Sequence, residues 1–331
     1  MTQRQRLLMG LGVGCLVGIV CWGHYRLESP GGMSDFDQIW IAARALRSGA
    51  DPYAAVTQTG WPFPLYYPLT AAVLALPLTL LSVMWARIVF FALGSAGCAY
   101  ALSARPHRLF ALLSGSFFQA LLLAQWGPLL VGATGTGFLL AGGIWSAKPT
   151  AGLALAIYTA RTRRAWVAIA CGALIVGLIS LALRPSWPVS FLADARHASH
   201  FRPLVAILPL GPLVLLAALR WRRPEARLLI ALACIPQTVA LYTTLPLFLV
   251  PQTRRETLIL ALLSDAAFAL TMWGIPAWWP QYRGSLVAST PIIGTCLLAL
   301  LYLPCLLMVL WPAGAALDAP RQHLSPDREV T

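Results

Sequence analysis

Trp166-Val167-Ala168-Ile169-Ala170-Cys171-Gly172-Ala173-Leu174-Ile175-Val176-Gly177-Leu178-Ile179-Ser180-Leu181-Ala182-Leu183 is an unbroken apolar run. Arg161-Thr162-Arg163-Arg164 stands just before it, and Arg184 follows. About twenty apolar residues cross a bilayer as a helix, and arginine clusters mark the cytoplasmic ends of such segments. The same alternation recurs in both directions. Toward the N-terminus lie Leu7 to Gly23 after Arg4 and Arg6, then Val83 to Ala104 before Arg105-Pro106-His107-Arg108, and Leu109 to Ala124. Toward the C-terminus lie Leu204 to Leu219 before Arg220-Trp221-Arg222-Arg223, then Leu228 to Val250 before Arg254-Arg255, read as a pair bent at Pro236 and Pro246 with its apex near Gln237 to Thr244, then Thr257 to Trp273, and Pro291 to Leu310. Barrel strands would alternate apolar and polar residues, and these runs do not. The reading is an all-α polytopic membrane protein, with one domain over residues 1–311 and about ten to twelve crossing helices. The polar tail 312–331 is expected to be disordered.

Composition agrees. The chain is 59% apolar and 11% charged, where a soluble domain carries about 25% charged residues. The net charge of +13 does not indicate nucleic acid, because the arginines sit at the ends of apolar runs rather than in one patch. Seven cysteines, with no CxxC pair, lie almost wholly inside apolar runs. They are read as buried thiols rather than a zinc site or a disulfide framework. Leu7 to Gly23 is read as an uncleaved first helix, since His24-Tyr25-Arg26 follows where a cleavage site would need small residues. Arginine positions put both termini on the cytoplasmic side, and the membrane is expected to be a bacterial inner membrane. They put Asp35, Gln125, Lys148, His197, His200 and Tyr242 together on the other side.

The first outer loop, 24–68, is the longest polar stretch between apolar runs. Within it, Asp35 to Ser48 fits an amphipathic helix. Ser34 can cap it, with Asp37 reaching back as in a capping box. Phe36, Ile39, Trp40, Ala43 and Leu46 share one face, and Arg44 and Arg47 face away. Such a helix suits the bilayer surface, and the helix dipole would stabilise Asp37 in its first turn. Trp61, Phe63 and Tyr66 read as interface anchors. Leu69 to Leu81, short and interrupted by Pro77, reads as a re-entrant or surface-lying helix. Gln125-Trp126-Gly127-Pro128 breaks the chain at the outer side. Gly127 to Ala147 is either two short helices or one packed closely through small residues.

Lys148 is the only lysine, with no other charge for more than ten residues on either side. Burying an ammonium at bilayer depth costs about 2.5 kcal/mol or more. Either it snorkels to the interface, or it holds an anion such as phosphate.

Asp35-Phe36 opening an amphipathic helix, Gly49-Ala50-Asp51-Pro52-Tyr53, Tyr67-Pro68, Leu76-Pro77-Leu78, Gln125, Lys148-Pro149-Thr150, and Pro236 with Tyr242 occur in that order. Together, from about Asp35 to Arg255, they resemble glycosyltransferase family 87. The chain departs from the family pattern in having Ala124 before Gln125, where Gly-Gln is usual. The stretch from Gln125 to Lys148 is shorter than usual, and Leu241 and Tyr242 stand in place of a histidine. The resemblance implies a GT-C fold and inverting transfer of a mannose-like sugar from a polyprenyl-phosphate donor. The acceptor would be a lipid or a glycan, at the non-cytoplasmic face. Asp35 would be the general base. The donor phosphate would be held by Lys148 with Arg202 and Arg196. Asp37, Tyr53, Tyr67, Gln125, His197, His200 and Tyr242 are the candidate substrate-binding residues. No cofactor and no metal is expected. Two other classes fit a polytopic chain: a transporter or lipid flippase, which would usually show repeated halves, and a non-catalytic assembly protein.

Overall fold

The structure is a computed structural model that describes residues 1–27, 34–61, 63–198, 201–278 and 286–311. His200, the tail 312–331, and Trp279, Tyr282 and Arg283, expected in the last outer loop, lie outside the described residues. Among those described, five helical stretches are long and apolar enough to cross a membrane: Gln3–Leu27, Val83–Leu102, Arg163–Leu183, Arg254–Trp278 and Ser289–Leu310. Outward faces of these helices are apolar; Leu174, Leu178 and Ile179 on the third are exposed. Contiguous apolar surface of this kind calls for lipid rather than water around it. The chain is an all-α membrane protein.

Helix α1 (Gln3–Leu27) packs along α5 (Val83–Leu102) through small residues. A Cβ on Gly14 would sit 2.9 Å from the Cβ of Ala96, so the glycine is what permits this approach. Between these elements lie α2 (Asp35–Arg47), α3 (Pro52–Thr57) and α4 (Leu69–Ala75). Leu76–Leu80, around Pro77, continues α4 as a 3₁₀ turn.

Several of the apolar runs are broken, among them Leu228 to Val250, where a bend at Pro236 is expected. Leu109 to Ala124 divides at Ser114 into the 3₁₀ segment Pro106–Leu113 and α6 (Gly115–Leu122). Gly127 to Ala147 becomes α7 (Gly127–Gly132), a 3₁₀ turn at Ala133–Gly135, and α8 (Phe138–Trp145). It is therefore both broken and closely packed: a Cβ on Gly132 would meet the Gly97 carbonyl carbon at 2.7 Å. Then follow α9 (Pro149–Thr159), α10 (Arg163–Leu183) and α11 (Trp187–Ala195). Leu204 to Leu219 is largely 3₁₀, over Gly211–Arg220. Helix α12 (Pro224–Cys234) ends before Pro236, and Leu241–Leu249 is again 3₁₀. Two residue pairs form a minimal antiparallel ladder, β1 (Phe201–Arg202) on β2 (Gln237–Thr238). Helix α13 (Arg254–Ala269) passes through a π-turn at Leu270–Gly274 into α14 (Ile275–Trp278). The last elements are α15 (Leu286–Leu297) and α16 (Leu303–Leu310). Irregular backbone within such a bundle persists where it is covered by protein or lines a cavity.

Hydrogen bonds sort the turns between two ends. Arg6 donates to the Tyr100 carbonyl at 3.0 Å, near the end of α5. Arg105 reaches Gln252, and Arg108 reaches the Tyr158 hydroxyl at 3.3 Å, just before Arg161. Arg223 donates to the Val309 carbonyl at 3.0 Å. The arginine-bearing turns thus gather at one end. At the other, the Tyr25 hydroxyl donates to the Leu121 carbonyl at 2.9 Å, close to α2 and Gln125.

Helix α2 is held more firmly than a surface-lying helix needs. Phe36, Ile39, Ala43 and Leu46 are buried, Trp40 is half-buried, and Phe36 stacks on Phe90 of α5 with ring centroids 4.4 Å apart. Asp37 accepts from the Ser34 N–H at 3.0 Å and from the Ser34 hydroxyl at 3.1 Å. It also accepts from Arg87 Nε at 2.6 Å, with a second contact from Arg87 Nη2. Its partner is therefore an arginine inside an apolar spanning helix, not the helix dipole alone. That guanidinium needs a counter-charge, and α2 supplies it. Removing one member of a buried pair leaves the other uncompensated and costs about 3–5 kcal/mol. Arg87→Met should therefore sharply lower thermal stability in detergent, and Arg87→Met with Asp37→Leu should recover most of the loss. If Arg87→Met melts like wild type, the pair is not the anchor.

Candidate functional site

A cavity of about 470 Å³ lies at the end of the bundle opposite the arginine turns. Its floor is polar, with Asp35, Gln38, Tyr67, Lys148, Thr150 and Tyr242 among the lining residues. None of these belongs to the five long apolar stretches.

Asp35 is the first residue of α2. Successive residues of a helix are about 100° apart, so a carboxylate two positions before Asp37 points to nearly the opposite side. With Asp37 fixed on Arg87, Asp35 is turned to the cavity. Its Oδ2 accepts a hydrogen bond from Gln125 Nε2, and the residue lines the cavity. Gln125 is itself buried and is aimed by the break after α6. There Ala124 takes φ 47°, and the Gln125 N–H donates to the Ala120 carbonyl at 2.8 Å. A left-handed alanine costs about 1–2 kcal/mol, so the break carries strain.

Lys148 stands at the N-cap of α9, where the chain turns between α8 and α9. Its Nζ lies 5.0 Å from the ring centroid of Tyr242 and 5.8 Å from that of Tyr67. Both are cation–π distances. Among the described residues its ammonium has no hydrogen bond and no ion pair. The Tyr242 N–H donates to Gln119 Oε1 at 2.9 Å, which fixes that wall of the cage. Burial pushes the Asp35 carboxyl up to about 6; the Lys148 charge and the Gln125 hydrogen bond oppose this, and Asp37 adds to it. Burial pulls the Lys148 ammonium down to about 8, against the opposing pull of Asp35. A base titrating near 6 and a cation titrating near 8 thus face one cavity.

The structure brings together Asp35, Tyr67, Gln125, Lys148 and Tyr242. Gln125 reaches the cavity through Asp35, and the other described candidates do not line it. Asp37 faces Arg87. Tyr53 is buried behind the cavity and donates to the Tyr67 carbonyl at 3.3 Å. Arg196 and His197 are exposed at the end of α11; the His197 carbonyl accepts from the Tyr66 hydroxyl at 3.4 Å. Arg202 is exposed on β1, opposite Gln237. Sequence reasoning passed over Arg87, Gln119, Gln38 and Thr238. The first two carried a usable signal: a charged or amide side chain inside an apolar run usually faces the bundle interior. Among the described residues, no group of three or more His, Cys, Asp or Glu is arranged to hold a metal. No family model, curated protein or solved structure matches the chain.

Because Lys148 is the only lysine, reductive ¹³C-methylation gives it a resonance shared only with the N-terminal amine. Its titration should centre near 8, and Asp35→Asn should move it lower, since the carboxylate charge that raises it is gone. An unshifted midpoint in Asp35→Asn would show that the two groups do not interact.

Proposed function

We propose that this protein is an integral membrane glycosyltransferase resembling glycosyltransferase family 87. Its GT-C-like bundle would have about ten to twelve crossing segments, with the short broken helices crossing in pairs. It transfers a mannose-like sugar from a polyprenyl-phosphate donor to a lipid or glycan acceptor on the non-cytoplasmic side of a bacterial inner membrane, with both termini cytoplasmic. The observation that carries this reading is the floor of the cavity. An oriented carboxylate and a caged ammonium that makes no ion pair among the described residues share a space large enough for a sugar.

The step is an inverting displacement. The acceptor hydroxyl oxygen forms a bond to the anomeric carbon while the bond from that carbon to the donor phosphate oxygen breaks. The hydroxyl proton passes to the Asp35 carboxylate, and the bonding pair leaves with the polyprenyl phosphate, whose charge Lys148 meets. General-base assistance is typically worth about 10²–10⁴-fold, and a fixed cation stabilises the developing anion. Gln125 holds one carboxylate oxygen and so orients the base. The departure at Ala124 also supports the resemblance. That position adopts the left-handed conformation that glycine, the usual family residue there, adopts without strain.

Three outcomes follow for purified protein supplied with a radiolabelled polyprenyl-phosphate sugar. Asp35→Asn should fold normally and lose about 10²-fold or more of its turnover. Lys148→Met should weaken donor binding while the protein remains folded. In the wild type, activity should rise as Asp35 loses its proton through about pH 6 and fall as Lys148 loses its own through about pH 8. Near wild-type turnover in Asp35→Asn would remove the general-base assignment. Absence of transfer from every polyprenyl-phosphate sugar would favour the transporter or assembly readings.

A further inference from the structure

One wall of the cavity is aromatic, made by Trp61, Phe63, Tyr66, Phe191 and Phe201. All five rings are half-buried. Tyr66 sits 6.4 Å from Phe63 and 5.4 Å from Phe201, centroid to centroid, at interplanar angles of 42° and 58°. Rings that anchor a protein at the membrane interface turn outward to the headgroups, whereas these line an internal space. The wall comes from the segment following α3, from α11 and from β1, all outside the five long apolar stretches.

An ion pair marks its depth. Arg184, at the end of α10, meets Asp51 at 2.5 Å, and their side chains are 32% and 33% exposed. An ion pair at the end of a spanning helix belongs at the water boundary rather than in hydrocarbon. Phe191 and Phe201 follow that helix end in the chain, and the Tyr66 hydroxyl donates to the carbonyl of exposed His197 at 3.4 Å. The cavity's other apolar wall differs in chemistry. Leu123, Val239, Met272 and Ile293 are aliphatic or thioether side chains, and Met272 on the fourth spanning stretch is exposed. That wall suits a hydrocarbon chain.

We infer that the aromatic wall is the acceptor subsite and that it takes a carbohydrate ring approaching from the aqueous side. A pyranose has one face of C–H groups that can lie on an aromatic ring, and an edge of hydroxyls for the polar floor. A lipid chain offers no such edge and would not approach from water. This inference rests on the transferase reading for the word acceptor, but the binding of the ring does not require turnover.

The test is saturation-transfer NMR on the full-length protein in detergent free of sugar headgroups, with a panel of methyl hexopyranosides and methyl pentopyranosides as probes. At least one probe should receive saturation, strongest on the ring hydrogens of a single face. Its affinity should fall about two- to tenfold in Tyr66→Leu and in Phe201→Leu, the worth of one ring contact. Tyr66→Phe, which keeps the ring and loses only the hydroxyl, should bind as wild type. Thermal unfolding of each variant separates lost contact from lost fold. No transfer to any probe in the wild type overturns the inference, even if neither leucine variant folds. So does unchanged affinity in folded leucine variants, or binding only when an alkyl chain replaces the methyl group. Saccharide binding without sugar transfer would retain this subsite and remove the transferase; transfer to lipid acceptors without saccharide binding would do the reverse.

Discussion

Arg87 sits inside an apolar helix, and its charge has to be met there. Asp37 meets it from the first turn of α2, with the Ser34 N–H and hydroxyl closing the same carboxylate. The Arg87 guanidinium also lies 5.3 Å from the Tyr25 ring centroid, which draws α1 into the contact. Two consecutive helices, α1 and α2, are joined to α5 at one buried point. The consequence for chemistry is rotational. Once Asp37 is fixed on α5, a helix of 3.6 residues per turn has no freedom left in where Asp35 points. A pair whose net contribution to stability is modest can still specify geometry in this way.

The cavity is assembled from interruptions. Gln125 follows the break at Ala124, Lys148 the turn between α8 and α9, and Tyr242 the irregular stretch after Pro236. Thr271 and Met272 lie in the π-turn of the fourth spanning stretch. A regular helix satisfies its own backbone and offers only side chains to its neighbours. A broken one can bring backbone and side chain together to a single point, and π-turns often mark such places. Gln119 links two of these breaks: its Oε1 accepts from the Tyr242 N–H and its Nε2 approaches the Met272 sulfur at 3.6 Å. The two titrating groups are tuned by the same burial that forms the cavity. Each is displaced toward its neutral form, and each partly restores the charge of the other.

The sequence by itself determined the class of the protein. Apolar runs of spanning length between arginine turns admit little but a helical membrane bundle. The break at Gln125, the isolation of Lys148 and the amphipathic span after Ser34 were also legible, because proline, glycine, charge and helical spacing act locally. Tertiary structure alone decided which candidates meet. Asp37 and Asp35 are equivalent carboxylates until Arg87, fifty residues on, selects one of them. Arg196, His197 and Arg202 have the chemistry for an anion, yet the course of α11 and β1 leaves them exposed and outside the lining. Trp61, Phe63 and Tyr66 read as anchors in isolation and line a cavity once Phe191 and Phe201 stand beside them. Local pattern fixes what a segment is, but the direction of a side chain depends on partners distant in the chain, and no local spacing encodes them.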